Sequence, residues 1–467
     1  MQIALIARCS KTKLYFKSED ERHDFNSQGG TLKNSLKILL LIAVIASPFL
    51  ATGAGYQMRY QSAETMGTGF ASDVTGAKTA SGFFNNPSII AFMEEGKHFS
   101  AEFTTLIPSG SFEGGSTYPA NTADGSASGF GKTSLLPSLY YGQKISKQLF
   151  VTATLTVPWA TNSQYDNDWV GRYQATKTFL ATYNLTPSLT YAVNEKFAIS
   201  GGVQFEYANG ELGRIVDTGT FGGTPGVDDS SATFKGNNLG LGAAFSALYK
   251  YSDALRLGFQ YRSRIKHNLK GDQSVQGLTP TANAILSNPA VINGGLGNGQ
   301  SVEAEIIIPD NITLGASYLL NPKFDLHASL SWTGWSSFDA LVVNNTTTGT
   351  SSSTDLSWKN TIFTAFGTDY YLSEKLILRG GISYETGAPP DSKRTPRGVD
   401  EDRMGLNLGA SYNLNDKFAF HGAFTQLIFL DKPTIDLADP APPSPVSVAG
   451  EYTTSASLIR LGVSAKF

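Results

Sequence analysis

Five times in this chain a tyrosine is followed by a short polar turn and then by an apolar residue, with apolar and polar positions alternating on both sides. The turns are Tyr191-Ala-Val-Asn194-Glu-Lys-Phe197, Tyr249-Lys-Tyr-Ser252-Asp-Ala-Leu255, Tyr318-Leu-Leu-Asn321-Pro-Lys-Phe324, Tyr370-Tyr-Leu-Ser373-Glu-Lys-Leu376 and Tyr412-Asn-Leu-Asn415-Asp-Lys-Phe418. A strand sends successive side chains to opposite faces, so period-two alternation flanking a tight polar turn specifies an antiparallel hairpin. Apolar rows such as Leu255, Leu257, Phe259 and Tyr261, or Leu376, Leu378, Gly380 and Ile382, continue away from the turns. The far ends of these strands run into long polar segments, roughly residues 209–236, 268–301, 342–357, 386–402 and 431–451. Short turns at one end and long loops at the other is the asymmetry of a transmembrane barrel. A soluble β-sandwich also contains hairpins, but it supplies no reason for a tyrosine at a fixed height beside each turn.

The carboxyl terminus repeats the pattern. In Ile459-Arg460-Leu461-Gly462-Val463-Ser464-Ala465-Lys466-Phe467 the apolar residues share one face, while Arg460, Ser464 and Lys466 share the other. An Arg on the lipid face near the midplane of a barrel costs roughly 2 to 4 kcal/mol, so if this strand spans a membrane, Arg460 points into the lumen. The pattern resembles the terminal strand of bacterial outer-membrane barrels, in which a final Phe is a recognition signal for the barrel-assembly machinery; Phe467 holds that place. Charged residues make up only 16% of the chain, while there are 48 glycines and 11% aromatics, a mix that suits strands, tight turns and aromatic girdles. A net charge of -3 gives no sign of a nucleic-acid partner. Arg256, Arg262, Arg379, His327 and His421 all fall on the parity opposite the apolar rows, where a water-facing interior accommodates them.

At the amino terminus Lys33 and Lys37 precede an apolar run from Ile38 to Ile45, then Ser47, Pro48 and the small residues Ala51-Thr52-Gly53. This is the form of a secretory signal with cleavage before Ala54, and its apolar run is too short for a membrane helix. Residues 1–31 are polar and lie upstream of a complete signal, which points to translation beginning near Leu32. The single cysteine, Cys9, lies in that stretch, leaving a mature chain free of cysteine for an oxidising periplasm. The expected organisation is therefore residues 1–53 as extension and signal, 54–97 as an inner segment and 98–467 as barrel.

Between the signal and the first strand, near Phe99, the chain is Gly-rich with little alternation: Ala54-Gly-Tyr-Gln57, Met66-Gly-Thr-Gly-Phe70, and Ser81-Gly-Phe-Phe-Asn-Asn86-Pro87-Ser88. Composition alone leaves open a plug inside the barrel or a periplasmic tail. The segment resembles the hatch of the outer-membrane long-chain fatty-acid transporter family (FadL-type), which also includes transporters of aromatic hydrocarbons. That hatch begins Ala-Gly-Phe-Gln and carries Asn-Pro-Ala; here the last position is Ser88. The likeness continues through Tyr261-Arg-Ser263, Ile308-Pro-Asp310, Trp332-Thr-Gly-Trp-Ser-Ser-Phe338, Trp358-Lys359, Phe366-Gly-Thr-Asp-Tyr-Tyr371 and Asp400-Glu-Asp-Arg403.

The resemblance implies an all-β fold, a 14-stranded antiparallel transmembrane barrel with the hatch in its lumen, in the outer membrane of a Gram-negative cell. It implies passive uptake of a hydrophobic ligand from outside, a shift of the hatch at Asn86, Pro87 and Ser88, and lateral release into outer-membrane lipid beside a kinked strand. Pro158 is a candidate mark of that irregularity, or simply a strand end, because proline cannot donate to a sheet ladder. Matching Tyr207-Ala208 to the family places its carboxylate-binding Arg at Arg214; its partner Lys falls near Thr354, and Lys359 is the cation nearest in sequence. Ligand candidates are long-chain fatty acids or, without need of a cation, aromatic and alkane hydrocarbons, with a general diffusion porin as the reading outside the family. The mature chain's His98, His267, His327 and His421 show no nucleophile or metal spacing, so neither catalysis, a cofactor nor a metal is expected, and the protein is expected to act as a monomer.

Overall fold

The computed structural model describes residues 55–116, 123–439 and 446–467. The signal and extension, including Cys9 and the cleavage point before Ala54, lie outside the described residues. Fourteen antiparallel staves form a closed barrel. They are β1 (Lys97–Ser116), β2 (Ser134–Lys144), β3 (Leu149–Thr156, resuming as Ala160–Gln164), β4 (Lys177–Asn194), β5 (Phe197–Asp217) and β6 (Asp229–Lys250). β7 is Leu255–Arg262 resuming as Ile265–Gly277, and β8 is Ser301–Ile308 resuming as Asn311–Asn321. β9 (Phe324–Thr333), β10 (Thr361–Tyr371), β11 (Leu376–Glu385), β12 (Arg403–Asn413), β13 (Phe418–Phe429) and β14 (Val446–Lys466) complete the circuit. β1 pairs with β14 without interruption from His98–Lys466 to Ser116–Val448, so the sheet closes.

The burial is inside out relative to a water-soluble sheet. On β5, Val203, Phe205 and Tyr207 are exposed, while Gln204, Glu206 and Ala208 between them are buried. The same inversion runs round the wall, with Leu239, Leu241, Phe245, Leu314, Phe366 and Leu408 all turned outward. Such a surface is stable only against lipid, which decides between barrel and sandwich. Arg460 is fully buried, and Ile459 and Leu461 beside it are exposed, as the terminal alternation requires. The turn tyrosines Tyr191, Tyr249, Tyr318 and Tyr412 lie exposed at the ends of their strands, and Phe467 packs edge-on against Phe418 at 6.0 Å. Among the described residues no helix is long and apolar enough to cross a membrane.

The long polar segments are shorter as loops than the sequence suggests. β5 and β6 stay paired to Asp217–Asp229, so the loop between them is residues 218–228, and residues 340–355 form a hairpin of two short strands. Polar residues there pair as strands because a ladder needs only backbone partners; apolar alternation is required only where lipid is the solvent.

Residues 55–96 lie inside the barrel and carry one helical turn, Ala63–Gly67, and two 3-10 turns, Ala80–Phe84 and Pro87–Phe92. Their backbone meets the wall at glycines. A side chain at Gly367 or Gly381 would overlap the Thr68 carbonyl, and one at Gly258 would overlap that of Val74. Ion pairs tie the segment to the adjacent strands β10 and β11: Arg59 to Glu385 (3.0 Å), Glu64 to Arg379 (3.2 Å) and Lys78 to Asp369 (3.5 Å).

Candidate ligand chamber and lateral gap

Above the inner segment, on the side of the long loops, aromatic residues from distant parts of the chain converge. A 3-10 turn at Trp335–Ser337 just after β9 turns Trp335 inward, where it is fully buried. Its ring meets Trp358 at 4.9 Å, Trp159 at 5.5 Å and Tyr56 at 6.1 Å, mostly edge to face. Phe338 closes on Trp358 at 5.2 Å, and Leu180, Ile265, Leu269 and Phe234 extend the apolar wall. Edge-to-face pairs hold such a cluster in fixed geometry, with each of these rings buried among its neighbours. Gly55 takes a positive φ of 59°, and a side chain there would come within 2.5 Å of Trp335, so the start of the inner segment fits against the cluster only as glycine.

Two guanidinium groups border this chamber. Arg214, on β5, has the parity of the interior-facing Gln204 and Glu206, keeps an accessible side chain and has no hydrogen bond or ion pair among the described residues. Arg397 arrives from the loop between β11 and β12 and donates to the carbonyls of Lys177 and Gln174 (both 2.8 Å) and Gly213 (3.1 Å), the last being Arg214's neighbour in the chain. Burial, and then the positive charge of Arg214, pull the Arg397 pKa down to about 10. A side chain on the adjacent Gly398 would touch Trp358 at 3.0 Å, so this loop rests on the chamber wall. Neither arginine has a carboxylate partner among the described residues. Several other buried guanidinium groups do, among them Arg403 with Glu385 and Asp400, Arg379 with Asp369 and Arg394 with Glu401, whereas buried Arg262 is satisfied by the neutral acceptors of Phe84, Asn184 and Thr186.

Lys359 stands exposed between the residue 340–355 hairpin and β10, and its backbone N–H donates to Ala388 (2.8 Å). No described contact brings its side chain to Arg214. Arg397 was not singled out by its sequence, because nothing local distinguishes it from the paired Arg394 three residues earlier; only the fold sets it beside Arg214.

Pro158 lies in the interruption of β3. The ladder between β2 and β3 stops at Leu139–Leu155, while β2 continues to pair with β1 as far as Ser134–Leu106. Between Thr156–Asn184 and Ala160–Ala181, β3 carries one residue more than β4, a bulge that draws it from β2. Pro137 on the other edge of the gap has no N–H to offer. The free edge of β3 is taken by the inner segment: Met58 N–H donates to the Pro158 carbonyl (2.7 Å), Ala160 N–H to Tyr56 (2.9 Å), and Gln61 Nε2 to Val157 (2.9 Å).

The turn at residues 86–88 is fixed to the wall. Asn86 Nδ2 donates to the carbonyls of Val74 (2.7 Å) and Ala247 (3.0 Å), and its Oδ1 accepts from Ser88 N–H (2.9 Å). The Ser88 hydroxyl meets that of Ser246 (3.0 Å), and the Pro87 carbonyl accepts from Thr190 (3.3 Å). Asp325, His327 and Asp369 also come together, with potential ligand atoms within 4.8 Å of one another. Arg256, Arg379 and Lys78 already neutralise both carboxylates, which makes this an ion-pair cluster between wall and inner segment and a poor site for a further cation.

A closed antiparallel barrel with an apolar outer face and a polar, filled lumen defines an outer-membrane β-barrel. The family model described as outer membrane protein transport protein (OMPP1/FadL/TodX) matches residues 42–467, and the chain belongs to that family of outer-membrane transporters. It is 26% identical over 396 residues to a long-chain fatty acid transport protein of Escherichia coli O6:H1, covering 81% of this chain and 88% of that one. It is 24% identical to outer membrane protein P1 of Haemophilus influenzae, over 82% of this chain and 87% of that one. Among solved structures, a Pseudomonas aeruginosa FadL homologue matches with a TM-score of 0.79 at 22% identity, over 89% of this chain and all of that one. The Ralstonia pickettii toluene transporter TbuX matches with a TM-score of 0.60 at 16% identity, over 85% and 97%.

Proposed function

We propose that this transporter takes up long-chain fatty acids, binding the tail in the aromatic chamber and the carboxylate at Arg214 and Arg397. The observation that carries the reading is the pair of neighbouring guanidinium groups without a carboxylate partner among the described residues, at the edge of the buried aromatic cluster. Each buried CH2 of a tail contributes roughly 0.8 kcal/mol, and a carboxylate entering such a chamber needs charged donors to offset its lost hydration. Arg397 here takes the part that the family resemblance gives to a lysine, while Lys359 is placed at the exposed rim.

Residues 54–97 then act as a hatch on the barrel of residues 98–467. Ligand descends past the hatch turn at Asn86, Pro87 and Ser88 and leaves between β2 and β3 at Pro158 into outer-membrane lipid. Phe467 serves recognition by the assembly machinery, and the chain works as a monomer. A second reading, uptake of aromatic hydrocarbons, is favoured by the aromatic lining of Tyr56, Trp159, Trp335 and Trp358. Quenching of tryptophan fluorescence by oleate and by toluene separates the two. Micromolar oleate binding that weakens about tenfold or more in Arg214→Ala and Arg397→Ala supports the first. Toluene binding that ignores both substitutions, without oleate binding, supports the second.

A further inference from the structure

We infer that the ion pair Arg460–Glu102 is the anchor that holds residues 56–63 as a strut across the gap between β2 and β3, so that the lateral route is closed from the adjoining strands β14 and β1. This rests on the proposed lateral release. One end of the strut is the strand-like pairing with β3 through Tyr56, Met58 and Gln61. The other end is held by one guanidinium, with neutral support from Thr104, Ser138 and Tyr140. Arg460 Nη1 donates to the Tyr60 carbonyl (2.5 Å) and Nη2 to that of Gln61 (2.7 Å), the Tyr140 hydroxyl also donates to Gln61, and Arg460 Nε donates to Glu102 (2.6 Å). Glu102 in turn accepts from Ala63 N–H (2.7 Å).

Both charged side chains are fully shielded from solvent, and each is made possible by its neighbours in the closing seam. On β14, Arg460 pairs with Thr104 of β1, placing Glu102 diagonally across from it. Gly462, opposite Glu102, leaves the room that Glu102 needs, since any side chain there would overlap its Cγ. The five donors of a guanidinium suit this task because they reach carboxylate, carbonyl and hydroxyl acceptors in one plane. An apolar residue would take the charged donors away from the Tyr60 and Gln61 carbonyls; the strut would lose its hold on β14 and keep towards β1 and β2 only the neutral hydrogen bonds from Thr104, Ser138 and Tyr140 and the bond of Ala63 to Glu102, while its pairing to β3 remained.

The test uses the full chain in lipid nanodiscs. Because Arg460→Met alone strands the Glu102 charge, the main variant is the double substitution Arg460→Met with Glu102→Gln, and Arg460→Lys serves as a milder one. Hydrogen exchange of residues 56–63 is expected to speed up about tenfold or more in the double variant and less in Arg460→Lys, with β1 and β14 protected as before and the heat-dependent gel shift of a folded barrel retained. Unchanged exchange in residues 56–63 overturns the anchor. So does faster exchange spread over the whole barrel, which marks the pair as part of the seam alone. Transfer of a fluorescent fatty acid into the bilayer is read separately: faster exchange without faster transfer retires the lateral route and leaves the anchor standing, whereas both rising together supports the two.

Discussion

Single residues in this protein are decided by which solvent their side chains meet. Arg397 is held by backbone carbonyls beside the cation of Arg214, which costs electrostatic energy until an anion arrives. Arg397→Ala is therefore expected to weaken oleate binding about tenfold or more, measured by fluorescence titration, and to lower the unfolding midpoint of the empty protein because the carbonyls of Lys177, Gln174 and Gly213 lose their donor. Asp73, in the inner segment, presents a different case. It accepts from Asn85 (2.9 Å), and burial raises its pKa to about 7 against the weaker opposing effects of the nearby Thr65 hydroxyl and the charge of Arg59. With the seated value above the free one of 3.8, the seated segment binds the proton more tightly. Its seating is thus strongest at low pH, weakens as pH rises towards about 7, and then levels off. Hydrogen exchange around Asp73, corrected for intrinsic rates, should be faster at pH about 8 than at pH about 5, and Asp73→Asn should remove the difference.

At the scale of elements, the wall is shaped to accept a second piece of chain. β11 carries Gly380 and Gly381 side by side; a side chain at Gly380 has open space, and one at Gly381 strikes the Thr68 carbonyl. Gly381→Leu is expected to unseat the inner segment at a cost of about 1–3 kcal/mol, raising ion conductance in planar bilayers, whereas Gly380→Leu should leave conductance at its native level. Equal conductance in the two variants would show that the glycine does not seat the segment. β3 shows the complementary device, a strand drawn from β2 by a bulge and completed by residues 56–61, which obeys the rule that no backbone polar group is left to lipid.

For the whole molecule, the filled lumen sets the transport class. With residues 55–96 fixed to the walls by Arg59, Glu64 and Lys78, the native protein should pass almost no ionic current. Removal of residues 55–96 should give an open channel with the conductance of a general porin, in a barrel that still shows the heat-dependent gel shift. A native protein that conducts like the deletion would identify the porin reading as the right one.

The hairpins, the outward face of each strand and the inward Arg460 were legible in the sequence, because lipid on one face and a polar lumen on the other impose a period of two that each strand must carry by itself. A resemblance to a family singled out Asn86, Pro87, Ser88 and Arg214 as the residues whose roles the proposed experiments address. Strand extensions beyond the membrane were not legible, since away from lipid the alternation is no longer required. Nor could the sequence reveal that Arg397 lies beside Arg214, that Gly381 makes room for Thr68, or that Arg460 and Glu102 hold residues 60–63. Each of these joins residues far apart in the chain, and their proximity follows only from closing the barrel around its inner segment.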